Sequence, residues 1–235
     1  MNYAIHTPRV DLQMDLPLYL PLGFILIALL TVFLFVRSGS STVLSLVVVG
    51  WTILQSVLGI LGVYQDTESL PPRLMLMGIF PAVIFIVFLL SSHWGRKNNA
   101  AFQAERLTHL HIIRIPVEIS LSLLYHAGLM SVYITYEGTN FDLFSGITAP
   151  IVAYFIFRSG KLSKRVLLIW NFICLGLLLN VVVTAIFAFP SPLQKIAFDQ
   201  PNVAVLFFPF NLLPTLIVPL VLLSHLVVIR QLLKK

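Results

Sequence analysis

The sequence predicts an all-α membrane protein of seven transmembrane helices, with the N-terminus outside and the C-terminus in the cytoplasm. Three observations carry that reading. Of 235 residues, 58% are hydrophobic and 10% charged, at a mean hydropathy of +0.96, whereas a soluble domain carries roughly 25% charged residues. The apolar residues form seven runs near the roughly 20-residue length that crosses a bilayer core. Finally, 12 of the 15 Lys and Arg residues fall in alternate gaps between those runs.

In chain order the spans are Pro17–Val36, Thr42–Tyr64, Leu74–Leu90, His111–Tyr133, Phe141–Phe157, Val166–Ala188 and Val203–Ile229. They leave no room for a soluble domain, so residues 1–235 form one membrane domain. Arg37 fills the first gap. Arg96, Lys97, Arg106 and Arg114 lie in or beside the third, Arg158, Lys161, Lys164 and Arg165 around the fifth, and Arg230, Lys234 and Lys235 in the tail. Only Arg9, Arg73 and Lys195 lie on the other side. This positive-inside bias sets the orientation. Seven of the nine acids, Asp142 among them, fall on the outer side. Segment 96–106 mixes charge with helix formers and reads as an interfacial helix. Ser191-Pro192 reads as the start of another, ended at Gln200-Pro201. Glu137-Gly138-Thr139-Asn140 is a turn, with Asp142 placed to cap the next helix.

The net charge of +6 follows the membrane sides, so nucleic acid is excluded as a partner. Asp11 and Asp15 stand where a signal peptide would be positive. Cys174 is the single cysteine, so no intramolecular disulfide forms. These features fit a bacterial inner membrane.

Landmarks recur along the chain. Arg37-Ser38-Gly39 returns as Arg158-Ser159-Gly160, and Trp51 as Trp170. Phe80-Pro81 with Leu89-Leu90-Ser91 returns as Leu213-Pro214 with Leu222-Leu223-Ser224. Segments 17–90 and 141–229 then read as two parallel triple-helix copies joined by a linker helix, 111–133, an architecture of transporters. This layout resembles the SWEET sugar transporters, although their Pro-Gln pair is absent. The resemblance implies architecture only and carries over no binding residue. Separately, RIPVE (114–118), YEGTNFD (136–142), WNFICLGLLLN (170–180) and FDQPN (198–202) resemble a group of uncharacterised bacterial multispan proteins, which implies no activity.

Span four is the most polar. At 100° per residue, His111, Arg114, Glu118, Ser122, Tyr125 and Tyr133 share about a third of its circumference. Apart from Asp142 at the very start of span five, Glu118 is the only acid inside a predicted span, where an ionised carboxylate costs about 2.5–3.5 kcal/mol. Arg114, one turn away near the cytoplasmic surface, is its expected partner. His126 reads as deeper. Asn171, Ser224 and His225 lie at the depth of Glu118, and Asn171 and Asn180 face opposite sides of span six. Asn211 and Thr215 share a face of span seven, which Pro209, Pro214 and Pro219 interrupt. The binding candidates are therefore Arg114, Glu118, Ser122, Tyr125, His126, Asn171, Asn211 and His225.

No metal-ligand spacing is present, and nothing supports pairing His126 with His225 as haem ligands, so the cofactor is unknown. The last span holds no Lys for a retinal Schiff base. Gly-x-Ser-x-Gly, His-Glu-x-x-His, P-loop and Cys-x-x-Cys motifs are absent. Three functions remain open. One is a small-solute transporter or permease that rocks two bundles. Another is a non-catalytic subunit whose fourth span docks a membrane-protein partner or a second copy. The third is an intramembrane enzyme on a lipid-like substrate, with Glu118 and a histidine as acid and base.

Overall fold

The computed structural model describes residues 16–234. Arg9, Asp11, Asp15 and Lys235, which entered the charge reading, lie outside the described residues. Every regular element is helical among the described residues: α1 (Tyr19–Arg37), α2 (Thr42–Ile60), α3 (Met75–Ser91), α4 (His93–Ala101), α5 (Ala104–His126), α6 (Leu143–Arg158), α7 (Lys164–Phe187) and α8 (Leu213–Leu233). Five of these, α1, α2, α5, α7 and α8, are long and apolar enough to cross a membrane, and α3 and α6 are apolar but shorter. Helices of this length and composition are those of an integral membrane protein.

Local chemistry explains several boundaries. Ser41 accepts from Leu44 N at 3.3 Å to open α2, and Ser92 accepts from Gly95 N at 3.0 Å to open α4, each satisfying a free first-turn donor. Proline, which removes an N–H and crowds the carbonyl four residues back, accompanies every π-helical turn. Met75–Ile79 precedes Pro81, Tyr154–Arg158 follows Pro150, and Leu213–Ile217 holds Pro214 before Pro219. The carbonyls freed by Pro81 and Pro219, those of Met77 and Thr215, lie within the first and last of these widened turns.

The axis of the bundle is the packed pair α5 and α8, each 61% buried along its apolar window, against 22% for α2 at the periphery. At one end, Arg106 Nη1 donates to Arg37 O at 2.6 Å, Arg158 Nε to Glu105 at 2.8 Å, and Arg230 to Leu90 O. At the other, Arg73 pairs with Asp66 at 2.5 Å, and Gln200 Nε2 donates to Tyr125 O and Met130 O at 2.8 and 2.7 Å.

Three boundaries differ from those read in the sequence. The helix expected at His111–Tyr133 is Ala104–His126. The end of the segment expected as an interfacial helix, 104–106, belongs to the span itself, which buries Leu107 and Leu110 fully, and a separate helix covers only His93–Ala101. The last helix starts at Leu213, not Val203, because residues 203–211 hold the 3-10 turn Ala204–Leu206, a bend at Phe207 and a turn at 208–211. No helix follows Ser191-Pro192. There Gln194 donates to Ile196 O and Ala197 O, and Ala197 adopts φ +57°, outside the helical region. The two tryptophans also differ in setting: Trp51 Nε1 donates to Thr215 O of α8, and Trp170 Nε1 to Thr148 Oγ1 of α6.

Candidate functional site

Thr108, His111, Arg114, Glu118 and Ser122 follow one another up a single stripe of α5 at three- or four-residue intervals, and all five are buried. The register of the helix puts Arg114 and Glu118 in its middle rather than near the cytoplasmic surface. Their neighbours come from the chain that follows. After His126 the backbone turns at Gly128 (φ +79°) and folds back through the 3-10 turn Val132–Ile134. This return carries Asn140 and Asp142, 1% and 5% exposed, into the core beside α5.

Arg114 pairs with Asp142, not with Glu118. Asn140 Nδ2 donates to Glu118 Oε1 at 2.6 Å and to Ile134 O at 2.9 Å, while its Oδ1 accepts from Asp142 N at 2.8 Å. One amide therefore ties the Glu118 carboxylate to the backbone of Asp142. Asp142, expected at the outer rim as a helix cap, makes no cap bond, because its carboxylate is engaged by Arg114.

The second arm of the guanidinium meets α8. Arg114 Nη2 lies 3.0 Å from His225 Nε2. Arginine has only donors, so Nε2 accepts and Nδ1 carries the ring hydrogen. That hydrogen is donated to Asn171 Oδ1 at 2.8 Å, and Asn171 Nδ2 donates in turn to Leu167 O at 2.8 Å. His111 stacks on His225 with ring centroids 3.9 Å apart and planes 18° apart, and Trp170 meets it edge-on at 5.6 Å. Gly146 lets α6 close against this ring of groups: a Cβ there would stand 2.9 Å from Ile115 Cγ1.

Four buried atoms here have no hydrogen-bond partner among the described residues beyond the bonds named: Glu118 Oε2, Arg114 Nε and both nitrogens of His111. Buried polar atoms are rarely left so. Glu118 and Asp142 also stand in the wall of a cavity of about 120 Å³. Met75 and Ile79 of the α3 π turn and Pro214 and Val218 of the α8 break form one side, with Leu121 and Leu178 opposite. A larger apolar crevice of about 320 Å³ lies between α2, α3 and α8, and no ionisable side chain lines it.

A family model described as a domain of unknown function (DUF8737) matches residues 71–233, more than half of the chain. The protein belongs to the DUF8737 family. The DUF8737 region runs from just before α3 through α8 and so contains every residue of the Arg114 network and its cavity. No curated protein matches the chain, and no solved structure does.

Of the candidates read from the sequence of this DUF8737 protein, Arg114, Glu118, Asn171 and His225 converge. Asn171 and His225 serve Arg114 rather than Glu118. Ser122 turns to Glu137, and His126 lies at the C-terminal end of α5 with 62% of its side chain exposed, 3.0 Å from Glu137 rather than deep in the bundle. Tyr125 contributes its backbone carbonyl to Gln200. Tyr133 leaves the stripe, since α5 has already ended. Asn211 belongs to a separate cluster with Gln55, donating to its carbonyl at 2.8 Å. Asp142 and Asn140 were missed as site residues. Their Thr-Asn-Phe-Asp run looks like any turn and cap, and only its return into the bundle distinguishes it. Among the described residues no group of His, Cys, Asp and Glu could hold a metal ion.

Proposed function

We propose that the protein is a seven-span carrier of small solutes and that the Glu118 cavity is its binding site. One observation carries this: a buried glutamate, one of whose carboxylate oxygens has no partner, lines a cavity bounded by two proline-broken helices. Carriers bind at mid-membrane between interrupted helices, and π turns are places where a helix can change its winding. The two broken helices touch directly. A Cβ on Gly78 of α3 would stand 2.4 Å from Thr215 Cγ2 of α8.

Seven spans require α3 and α6 to cross together with the five longer helices. The clustering of Arg37, Arg106, Arg158 and Arg230 at one end supports this count and, by the positive-inside rule, makes that end cytoplasmic. Reporter fusions at Gly138 and at the C-terminus should then report outside and inside respectively. A bacterial inner membrane suits the same bias. In the SWEET-like arrangement α3 and α8 correspond, and both carry a proline-flanked π turn, but α5 is the axis of the bundle rather than a mere linker. The docking-subunit reading has less support, because the polar stripe of α5 is spent inside its own chain.

A water-soluble maleimide tests the carrier. Val182→Cys, in a Cys174→Ser background, places a thiol in the cavity wall. In sealed proteoliposomes it should be labelled from either side, in proportions that a bound probe changes. Labelling from one side only, whatever the probe, overturns the carrier reading.

A further inference from the structure

We infer that the site exchanges a small organic monocation for a proton on Glu118. This rests on the carrier reading and names its substrate class and coupling ion. The charges around Glu118 do not balance. Facing Glu118 are Arg114 from its own helix, Asp142 from the start of α6, and the neutral amide of Asn140 from the return segment. Behind Arg114 lie His225 of α8 and His111 of α5, with Cys174 of α7 buried in the same core. His225 is spent as an acceptor from Arg114 and as a donor to Asn171. Arg114 supplies one positive charge, already paired to Asp142. Glu118 therefore adds a second carboxylate with no cation of its own, and an unbalanced charge inside a membrane is costly. Its Oε1 is held by Asn140 while Oε2 has no partner. That oxygen can be satisfied in two ways: it can carry a proton, or it can accept from a cationic N–H.

The cavity decides what can bring that N–H. At about 120 Å³ it is close in size to an apolar cavity of about 150 Å³ that holds benzene. Apart from Glu118 and Asp142 its lining is almost wholly apolar, with Asn202 at its outer end. A primary ammonium on a benzyl-sized or short alkyl body fits both features. A metal cation does not, since it would need several further oxygens. The exchange balances. As the ammonium N–H docks on Oε2, the O–H bond of the protonated acid breaks and its proton leaves to water, so the net charge of the site is the same in both states.

The test uses the full chain in nanodiscs and two probes of one shape, benzylamine and benzyl alcohol, titrated calorimetrically in buffers of different ionisation enthalpy. Benzylamine should bind with release of about one proton, and its Kd should rise about tenfold for each pH unit of acidification in the competitive range, as linkage of one proton requires. Glu118→Gln should lose proton release and weaken benzylamine at least tenfold while leaving benzyl alcohol unchanged. Val182→Phe, which fills the cavity and keeps the carboxylate, should weaken both. If both probes bind alike without proton release, exchange is overturned and the apolar site stands. If neither binds the folded wild-type chain, the exchange and the carrier reading fall together.

Discussion

Two buried polar clusters lie on either side of the broken start of α8, and they solve different problems. One is neutral. Gln55 Nε2 donates to Met77 O at 3.1 Å, and Trp51 Nε1 donates to Thr215 O at 2.8 Å. Those carbonyls stand four residues before Pro81 and Pro219, which have no N–H to offer them. Tyr64 OH donates to Gln55 Oε1 at 2.5 Å and Asn211 to Gln55 O. Burial pushes the Tyr64 hydroxyl up to about 12 against the opposing pull of that bond, so it remains a donor across the physiological range. This cluster repairs backbone. The Arg114 cluster spends two carboxylates, a guanidinium and two imidazoles, repairs no break in a helix, and still leaves one oxygen of a cavity-lining carboxylate without a partner. A polar group whose bonds answer a proline is structural; one that holds charge toward a cavity is held for something else.

The comparison can be broken most severely at Arg114. Arg114→Gln should destabilise the protein by about 3–5 kcal/mol, because Asp142 is left as a buried charge without its partner. Thermal unfolding in nanodiscs measures this. The double variant Arg114→Gln/Asp142→Asn should recover much of the loss, since contacting residues are not additive. Simple additivity would mean that the ion pair is not what the two residues share.

The neutral cluster should yield a smaller effect. Gln55→Leu removes the donor from Met77 O and the acceptor from Tyr64, and leaving such groups bare costs about 1–3 kcal/mol. Trp51→Phe, which loses one bond, should cost about 0.5–1.5 kcal/mol. Neither should move benzylamine binding by more than its error. A parallel loss of binding would show that the two clusters act as one.

The contrast also explains what the sequence could and could not reveal. Apolar run length and basic residues in the gaps made the helical membrane class legible, because both are summed over many positions. The stripe on α5 was legible too, since 3.6-residue periodicity fixes which side chains share a face. The partner of Arg114 was not. Glu118 stands four residues away, the usual distance for a helical ion pair, whereas Asp142 is 28 positions on and arrives only because residues 127–142 fold inward. The same event removes Arg114 from the topological count: it is a core residue, not a cytoplasmic flank. The start of α5 was misplaced for a related reason, since Leu107 and Leu110 hid behind the charges of Glu105 and Arg106.

The mildest effect is expected at the C-terminal end of α5, where Glu137 offers a surface counterpart to Glu118. Its carboxylate sits below the usual range, first because Ser122 donates to it and then because His126 lies 3.0 Å away. A lowered folded-state value means that its stabilisation is present above the ordinary glutamate pKa of about 4.3 and is lost as pH falls through the lowered value. Wild-type and Glu137→Gln unfolding curves should therefore differ slightly at neutral pH and converge under acid. Ser122→Ala should bring the Glu137 titration, followed by NMR of carboxyl-labelled glutamate, back toward the ordinary value. It should leave the Glu118 cavity untouched, because Ser122 bonds outward. An unmoved titration would assign the shift to His126 instead, and a change in cavity binding would mean that the stripe on α5 transmits from its surface end to its core.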